Sequence, residues 1–293
     1  MLRDHLFPKT VSEALMLLKE CKGKARLIAG GTDLIPEIRG GAFDFEILVD
    51  IEKIKRLKSI REESRKIFIG SGVTFTELEE SKLICQNAQA LSQAASLMGS
   101  PQIRNRATIG GNIVSAQPAA DGTLALLPFD AMLEIEGMKG TREIPISKAY
   151  LDVGKSILDP SREILVGIRL EKRNKGEGSN YQRIAVRKAM ALPILACGVF
   201  LKSVNGSIEY ARIGIGPVSN IPFRARETEE FLKGKPLSEG VFEKAGEIAS
   251  EEVNPRDSKL RGGKEYRRGL AAVIVKRGLQ EADREAGLDF KHG

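Results

Sequence analysis

Residues 108–121 read TIGGNIVSAQPAAD, and residues 28–41 read IAGGTDLIPEIRGG. Each stretch places a glycine pair before a polar residue, Asn112 in the first and Thr32 with Asp33 in the second. A Gly-Gly step between a strand and a helix tolerates positive φ, leaves helix-start N–H groups unpaired and lets another molecule approach the backbone. An anion suits such a place. The two loops together are predicted to hold a diphosphate.

The chain around the first loop predicts a small α/β unit over residues 1–55. Thr10-Val-Ser-Glu13 has the pattern of a capping box and begins a helix whose apolar residues share one face. Apolar runs predict buried strands at 26–29 and 46–51. Thr32 is expected to cap a short helix through LIPEI, with Pro36 in its first turn.

Residues 56–172 predict an α+β unit with a mostly antiparallel sheet. KRLKSI and RKIFIG flank the turn REES and predict a hairpin, and Thr74-Phe-Thr-Glu77 is a second capping box. A longer helix is predicted over residues 83–98 and a short one in GTLALLPFD. Further strands are predicted at 131–137, 142–146 and 162–170.

The polar, glycine-bearing stretch EKRNKGEGSN, residues 171–180, is the predicted domain boundary. The C-terminal domain, residues 177–287, is expected to hold three antiparallel strands in YQRIAVRK, ILACGVFLKS and SIEYARIGIG. Asn205-Gly206 favours a type I′ turn between the last two strands. Helices are predicted over 224–234, 238–253 and 264–287, with apolar spacing typical of packing.

Composition limits the chemistry that the chain performs alone. The net charge is +7, from 46 basic and 39 acidic residues, which mainly reflects a heavily charged surface and does not exclude nucleic-acid binding. His5 and His292 are the only histidines, and Cys21, Cys85 and Cys197 are widely spaced. A histidine triad, a metal site and a disulfide framework are therefore not expected. No membrane span or signal peptide is expected, so the cytoplasm is the default.

Of two other phosphate-binding motifs, one is incomplete and the other is absent from the sequence. GSGVTF at 70–75 follows a strand and precedes a helix, but Phe75 stands where a dinucleotide fingerprint needs its third glycine. No GxxxxGK[ST] occurs, which excludes a P-loop nucleotidase. With little acid–base chemistry of its own, an enzyme of this composition would depend on a bound organic cofactor.

LIAGGTDLIP and TIGGNIVSAQPAAD, with the intervening SLMGSPQIRNRA, resemble the FAD-binding subunit of the molybdenum hydroxylases, the xanthine dehydrogenase and carbon monoxide dehydrogenase medium-subunit family. The likeness extends to REILVGIRL, IGIGPVSNIPFRARETEEFLKGK and EYRRGLAAVIVKRGL. It implies an α+β fold of the PCMH type, as in vanillyl-alcohol oxidase and MurB. FAD would lie between the N-terminal and middle units, with the C-terminal domain alongside.

The resemblance also implies which residues bind FAD. The first loop would meet the diphosphate through backbone N–H groups of Gly30, Gly31 and Thr32, and the second would approach closely at Gly110 and Gly111. Asp121 would accept hydrogen bonds from FAD hydroxyls, or alternatively cap the following helix. Arg183 stands where lysine is more usual. The complete set is Leu27, Ile28, Ala29, Gly30, Gly31, Thr32, Asp33, Leu34, Met98, Ile103, Thr108, Ile109, Gly110, Gly111, Asn112, Asp121, Leu165 and Arg183, with Met98 alternatively a core residue.

By resemblance, the chain would be an electron-transfer subunit with no catalytic side chain. A molybdopterin-binding large subunit and a 2Fe-2S small subunit would form a heterotrimer with it, and FAD would pass electrons to NAD⁺ or another acceptor. Gly31-Thr32-Asp33 differs from the histidine-serine loop associated with carbon monoxide dehydrogenases, which disfavours that substrate. A stand-alone reductase of the MurB type and a cofactor-free basic scaffold or nucleic-acid binder are the alternatives.

Overall fold

A computed structural model describes residues 2–41, 43–187 and 190–287. Its N-terminal unit is a three-stranded parallel sheet in the order β1-β3-β2. The elements are β1 (Asp4–Leu6), α1 (Val11–Glu20), β2 (Ala25–Ile28), α2 (Leu34–Arg39) and β3 (Ile47–Asp50). Across the described ranges, no helix combines the length and the apolar character that crossing a membrane requires.

The two helix starts of this unit differ from the predictions in detail. The hydroxyl of Thr10 accepts a hydrogen bond from the Glu13 N–H, 3.1 Å away, but the Glu13 carboxylate accepts from the N–H of Lys9 rather than of Thr10. Only half of the predicted capping box therefore forms. The prediction that Thr32 caps α2 is wrong, because Asp33 occupies the N-cap position and its side chain makes no capping bond. The structure also adds β1, which is too short to give a sequence signal.

The middle unit is built on a five-stranded antiparallel sheet in the order β4-β5-β10-β6-β7, which confirms the predicted antiparallel character. Its elements are β4 (Ile60–Glu63), β5 (Lys66–Gly70), α3 (Phe75–Glu80), α4 (Lys82–Asn87), α5 (Gln89–Leu97), α6 (Pro101–Arg104), α7 (Ile109–Val114), α8 (Asp121–Leu126), β6 (Met132–Gly137), β7 (Gly140–Pro145), β8 (Tyr150–Asp152), β9 (Lys155–Ser156) and β10 (Glu163–Glu171). Strands β8 and β9 form a separate small hairpin.

Two predicted elements of this unit change in the structure. Most of KRLKSI is a 3₁₀ turn, Lys55–Lys58, so the first strand of the hairpin is only β4. The predicted helix over 83–98 is split into α4 and α5 at Ala88, whose backbone leaves the helical region. The capping box at the start of α3 is complete, since Thr74 and Glu77 each accept from the other's backbone N–H.

The C-terminal unit carries an antiparallel sheet in the order β11-β12-β13-β14, with three helices. The two-residue β14 extends the three strands that were predicted. The elements are β11 (Glu177–Ala185), β12 (Pro193–Val204), β13 (Ser207–Gly216), β14 (Phe223–Arg224), α9 (Arg226–Leu232), α10 (Glu239–Glu252) and α11 (Lys264–Gly287). Lys188, the end of the first predicted strand, lies outside the described residues. Positive φ at Asn205 and Gly206 fits the predicted type I′ turn.

Glycines on the C-terminal sheet let the middle unit pack directly against it. A Cβ on Gly198 would lie 2.5 Å from the backbone oxygen of Leu124 in α8, and one on Gly216 would lie 2.7 Å from the Leu124 side chain. Neither position has room for a larger residue without displacing α8. This close packing brings the first residue of α8, Asp121, against β11.

Candidate functional site: a groove between two glycine loops

The first glycine loop packs against the segment that leads into the second. A Cβ on Gly30 would lie 1.9 Å from the backbone oxygen of Arg106, just before the second loop, so this contact requires glycine. The Arg106 guanidinium forms a two-bond ion pair with Glu52, with N–O distances of 2.9 and 3.0 Å. That hydrogen bonding lowers the pKa of Glu52. The N-terminal and middle units are thus joined at the point where the predicted cofactor loops meet.

The first loop presents a row of free backbone donors. Within the described ranges, the N–H groups of Gly30, Gly31, Thr32 and Asp33 form no hydrogen bond, whereas the carbonyls of Gly31 and Asp33 accept bonds from α2. Gly31 has a φ of +71°, a conformation that favours glycine. Successive unpaired N–H groups beside a helix start form a concave anion-binding surface.

The second loop is different, because most of its backbone donors are used within the protein. The N–H groups of Ile109 and Gly110 bond to the carbonyls of Val73 and Ser71, at 2.9 and 2.8 Å. The Thr108 hydroxyl accepts from the N–H of Gly111 and caps α7. Of the N–H groups from Thr108 to Asn112, only that of Thr108 has no acceptor within the described ranges, so the second loop offers fewer backbone donors than the first.

The two glycines of the second loop also face different surroundings. A Cβ on Gly110 would lie 2.5 Å from the Cβ of Ser71, so this position has no room for a side chain and packs against Ser71. At Gly111 only the Thr108 hydroxyl, at 3.1 Å, would be near, and the residue is exposed. Gly111 therefore presents an open backbone surface to the groove.

Two adjoining cavities extend from the loops. A groove of about 540 Å³ follows both loops, and a cavity of about 650 Å³ continues towards the C-terminal unit. They share the lining residues Asp33, Met98, Asn112, Ser115 and Gln117. Of the predicted site residues, those lining the groove are Leu27, Ile28, Ala29, Gly30, Gly31, Thr32, Asp33, Leu34, Met98, Ile103, Thr108, Gly111 and Asn112.

The remaining predicted site residues are divided between the cavity and the core. Asp121 and Arg183 line the cavity. Ile109, Gly110 and Leu165 line neither space, and both Ile109 and Leu165 belong to the hydrophobic core of the middle unit. Met98 packs partly against the same core while its surface lines both spaces, so its two predicted roles are compatible.

Asp121 belongs to a buried polar cluster. The N-cap of α8 is Ala120, and Asp121 makes no capping hydrogen bond, so the alternative prediction of a helix-capping role is wrong. Its Oδ1 accepts from the Tyr181 hydroxyl at 2.7 Å and from Arg183 Nε at 3.1 Å. Burial raises the pKa of Asp121, and Arg183 and Tyr181 oppose that rise. Oδ2 has no hydrogen-bond partner within the described parts of the chain.

Sequence reasoning missed several residues that line the cavity. Ser115 and Gln117 follow the second loop, and Met190, Asn254, Arg256, Arg261 and Arg267 come from the C-terminal unit. The run PRDSKLRGGKEYRR, residues 255–268, carries several arginines and was a signal that could have found the last three. His5 contacts Asp50 instead of the groove, His292 lies outside the described ranges, and the described residues contain no cluster of metal-ligating side chains.

Comparisons with known proteins agree with this geometry. Residues 3–171 match the family described as the FAD binding domain in molybdopterin dehydrogenase, and residues 180–282 match the CO dehydrogenase flavoprotein C-terminal domain. The chain is 33% identical over 280 residues to the xanthine dehydrogenase FAD-binding subunit of Escherichia coli O157:H7, covering 95% of each. It is 30% identical over 279 residues to the carbon monoxide dehydrogenase medium chain of Hydrogenophaga pseudoflava, covering 95% of this chain and 96% of the relative.

The solved structure of carbon monoxide dehydrogenase from Hydrogenophaga pseudoflava has the same fold. It superposes with a TM-score of 0.92 at 29% identity, over 97% of this chain and 98% of that one. The class defined by this fold and groove is the flavin-binding oxidoreductase subunit, and the chain belongs to the FAD-binding medium-subunit family of the molybdenum hydroxylases. Its cofactor is FAD.

The residues of the groove fit that cofactor. Four consecutive free N–H groups in the first loop suit a diphosphate, and the bare backbone at Gly111 leaves space opposite them. The free Oδ2 of Asp121 is an acceptor for a hydroxyl or ring N–H.

Proposed function

We propose that this chain is the electron-transfer subunit of a molybdenum hydroxylase complex. A molybdopterin-binding large subunit and a 2Fe-2S small subunit are its partners, and NAD⁺ or another acceptor receives the electrons. The observation that carries the proposal is the row of free N–H groups at Gly30 to Asp33, set in a groove that the middle unit closes. Bound FAD supplies the redox chemistry, because a flavin exchanges electrons singly or in pairs.

The side chains of this protein bind and orient the cofactor. The first loop holds the diphosphate through backbone donors, which carry no proton chemistry of their own. Asp121, fixed by Tyr181 and Arg183, keeps one carboxylate oxygen directed to the ligand. Arg183 is itself held by the carbonyl of Ala191, so the cluster is oriented from both sides.

The relatives are named for different substrates, xanthine in one case and carbon monoxide in another. Similar FAD subunits therefore occur in enzymes that act on different substrates. This supports a substrate pocket that lies in a partner chain. We infer that the substrate hydroxylated by this complex is determined outside the present chain.

Purification of the chain from its native host tests this function. We expect it to be recovered with two partner chains, with FAD on this chain and with molybdenum and iron on the others. Recovery of the chain alone, with steady turnover of NADPH and no molybdenum or iron, would instead support a stand-alone reductase.

A further inference from the structure

Three arginines line the cavity beyond the glycine loops. Arg256, Arg261 and Arg267 border the space of about 650 Å³ that Asp121 and Arg183 also line, and none of the three borders the groove along the loops. Arg256 is exposed, Arg261 is half-buried and Arg267 is buried, so the cluster extends from the cavity opening into the protein.

These arginines have no carboxylate partner within the described parts of the chain. Arg267 donates only to the backbone carbonyls of Arg256 and Pro217, and the Nε atoms of Arg261 and Arg267 are buried without an acceptor. The nearby Asp257 accepts from the N–H of Lys264 instead of forming an ion pair. Burial and the neighbouring arginines lower the pKa of Arg261 and of Arg267.

The other buried arginines of the protein are neutralised. Arg173 pairs with Glu285, Arg183 with Asp121 and Arg224 with Glu229. Buried charges are costly unless they are paired, and a fork of guanidinium donors matches a phosphate or carboxylate. The arginine cluster at the cavity differs from these buried arginines because it has no carboxylate partner within the described residues. A bound anion would balance its positive charge.

We propose that Arg256, Arg261 and Arg267 form an anion site for the phosphate groups of a dinucleotide electron acceptor. This inference rests on the proposed function, because it concerns the acceptor that enters the cavity beside the flavin. Three positive groups fit a diphosphate better than a single carboxylate. The diphosphate of FAD has its own donors at Gly30 to Asp33, in the adjoining groove that the three arginines do not line. Asn254 and Ser258 add polar groups at the arginine cluster.

Binding of dinucleotide fragments to the FAD-loaded full chain tests the proposal. Calorimetry would compare ADP-ribose, inorganic pyrophosphate and adenosine, of which only the first two carry phosphate. We expect ADP-ribose and pyrophosphate to bind and adenosine not to bind. Arg256→Gln and Arg261→Gln are each expected to weaken ADP-ribose binding about tenfold, because each removes a charged donor. Arg267 is left intact, since it also holds two backbone carbonyls.

Arg162→Gln is the matched control, because its side chain is 78% exposed and does not line the cavity. This variant should bind ADP-ribose as the unchanged protein does. Absence of ADP-ribose binding, or equal binding by both cavity variants and the unchanged protein, would overturn the proposal. Pyrophosphate binding without ADP-ribose binding would overturn the dinucleotide assignment.

A loss of bound FAD in Arg256→Gln or Arg261→Gln, or release of FAD by pyrophosphate, would assign the arginines to the phosphates of FAD and so overturn the acceptor site. None of these results affects the proposed subunit function, which depends on the partner chains that are recovered with this one.

Discussion

Glycine has two separate roles in the two loops that are predicted to bind the flavin. Gly30 and Gly110 allow one chain segment to pack against another, at Arg106 and Ser71 respectively, whereas Gly111 leaves the groove open. A substitution at Gly111 should therefore affect the ligand while leaving the fold intact. The same change at Gly110 should damage the fold itself.

Gly111→Val places a branched side chain at the open backbone surface of the groove. We expect the variant to fold with native-like circular dichroism and to lose FAD, because the added methyl groups occupy cofactor space. The ratio of flavin absorbance to protein measures the loss. Gly269→Val is the control, since a Cβ there would meet no atom within 4 Å and Gly269 lines neither cavity. Full FAD content in Gly111→Val would contradict the placement of the cofactor along this loop.

The Glu52–Arg106 ion pair predicts how FAD retention depends on pH. Hydrogen bonding by Arg106 lowers the pKa of Glu52, so its stabilising contribution is present above the unfolded-state pKa. The contribution is lost as the pH falls through the lowered pKa of the folded protein. Because the pair fastens the segment that packs on Gly30, we expect FAD release to increase over that acidic range.

Glu52→Gln is the variant that isolates this effect. It should retain less FAD at neutral pH, and its retention should change less than that of the unchanged protein as the solution is acidified. FAD fluorescence after a filtration step follows the release. An identical acid profile in the two proteins would show that other carboxylates control the release.

At the scale of elements, a buried ion pair fixes the last helix. Arg173 and Glu285 pair at 2.5 Å with each side chain 6% exposed, and the Glu285 carboxylate also accepts from the N–H of Ser179 at the start of β11. Burial raises the pKa of Glu285, and the interactions with Ser179 and Arg173 oppose that rise. The Arg173–Glu285 pair therefore joins α11 both to the segment between β10 and β11 and to β11 itself.

Glu285→Gln is expected to lower the free energy of unfolding by about 3–5 kcal/mol, because it leaves the Arg173 charge without its buried carboxylate. Chemical denaturation measures the change. Glu281→Gln, four residues earlier on the same helix, breaks the exposed pair with Arg284 and should have little effect. Equal changes in the free energy of unfolding for the two substitutions would mean that the buried Arg173–Glu285 pair stabilises the fold no more than the exposed pair does.

The elements also show what the sequence could predict. Capping patterns and apolar periodicity located α1, α3 and α10, and Asn205-Gly206 located a turn, because these signals are local. The break between α4 and α5 at Ala88 has no glycine or proline to mark it. The glycine pairs indicated a ligand loop, but the sequence could not show that the carbonyls of Val73 and Ser71 accept from the N–H groups of Ile109 and Gly110. That outcome depends on packing between distant segments.

The arginines that line the cavity were missed because the arginine-bearing run at 255–268 does not itself show which surface it faces. Arg256 and Arg261 lie more than 130 residues after the second glycine loop, in a polar segment that read as a connection between helices. Only the close packing of the C-terminal sheet on α8, through Gly198 and Gly216, brings that segment to the flavin side of the molecule. The residues named by the resemblance came instead from the two earlier units and β11.

At the scale of the whole molecule, FAD binding should link the three units. The groove is lined by the N-terminal and middle units, and the adjoining cavity adds residues of the C-terminal unit. A ligand that spans these spaces binds the folded protein and not the unfolded chain, so it stabilises the fold by mass action. A free FAD concentration 100 times the Kd should increase the free energy of unfolding by about 2.7 kcal/mol.

For a domain of this size, that stabilisation should raise the melting temperature of the flavin-free protein by about 5 °C. Differential scanning calorimetry with and without FAD measures the shift. Gly111→Val should show no shift, because its groove is blocked, whereas the Arg162→Gln protein should match the unchanged chain. ADP is expected to give a smaller shift than FAD, since it reaches the free N–H groups of the first loop but not Asp121. Equal shifts with ADP and FAD would indicate that only the diphosphate is held and that the Asp121 cluster makes no contact with the flavin.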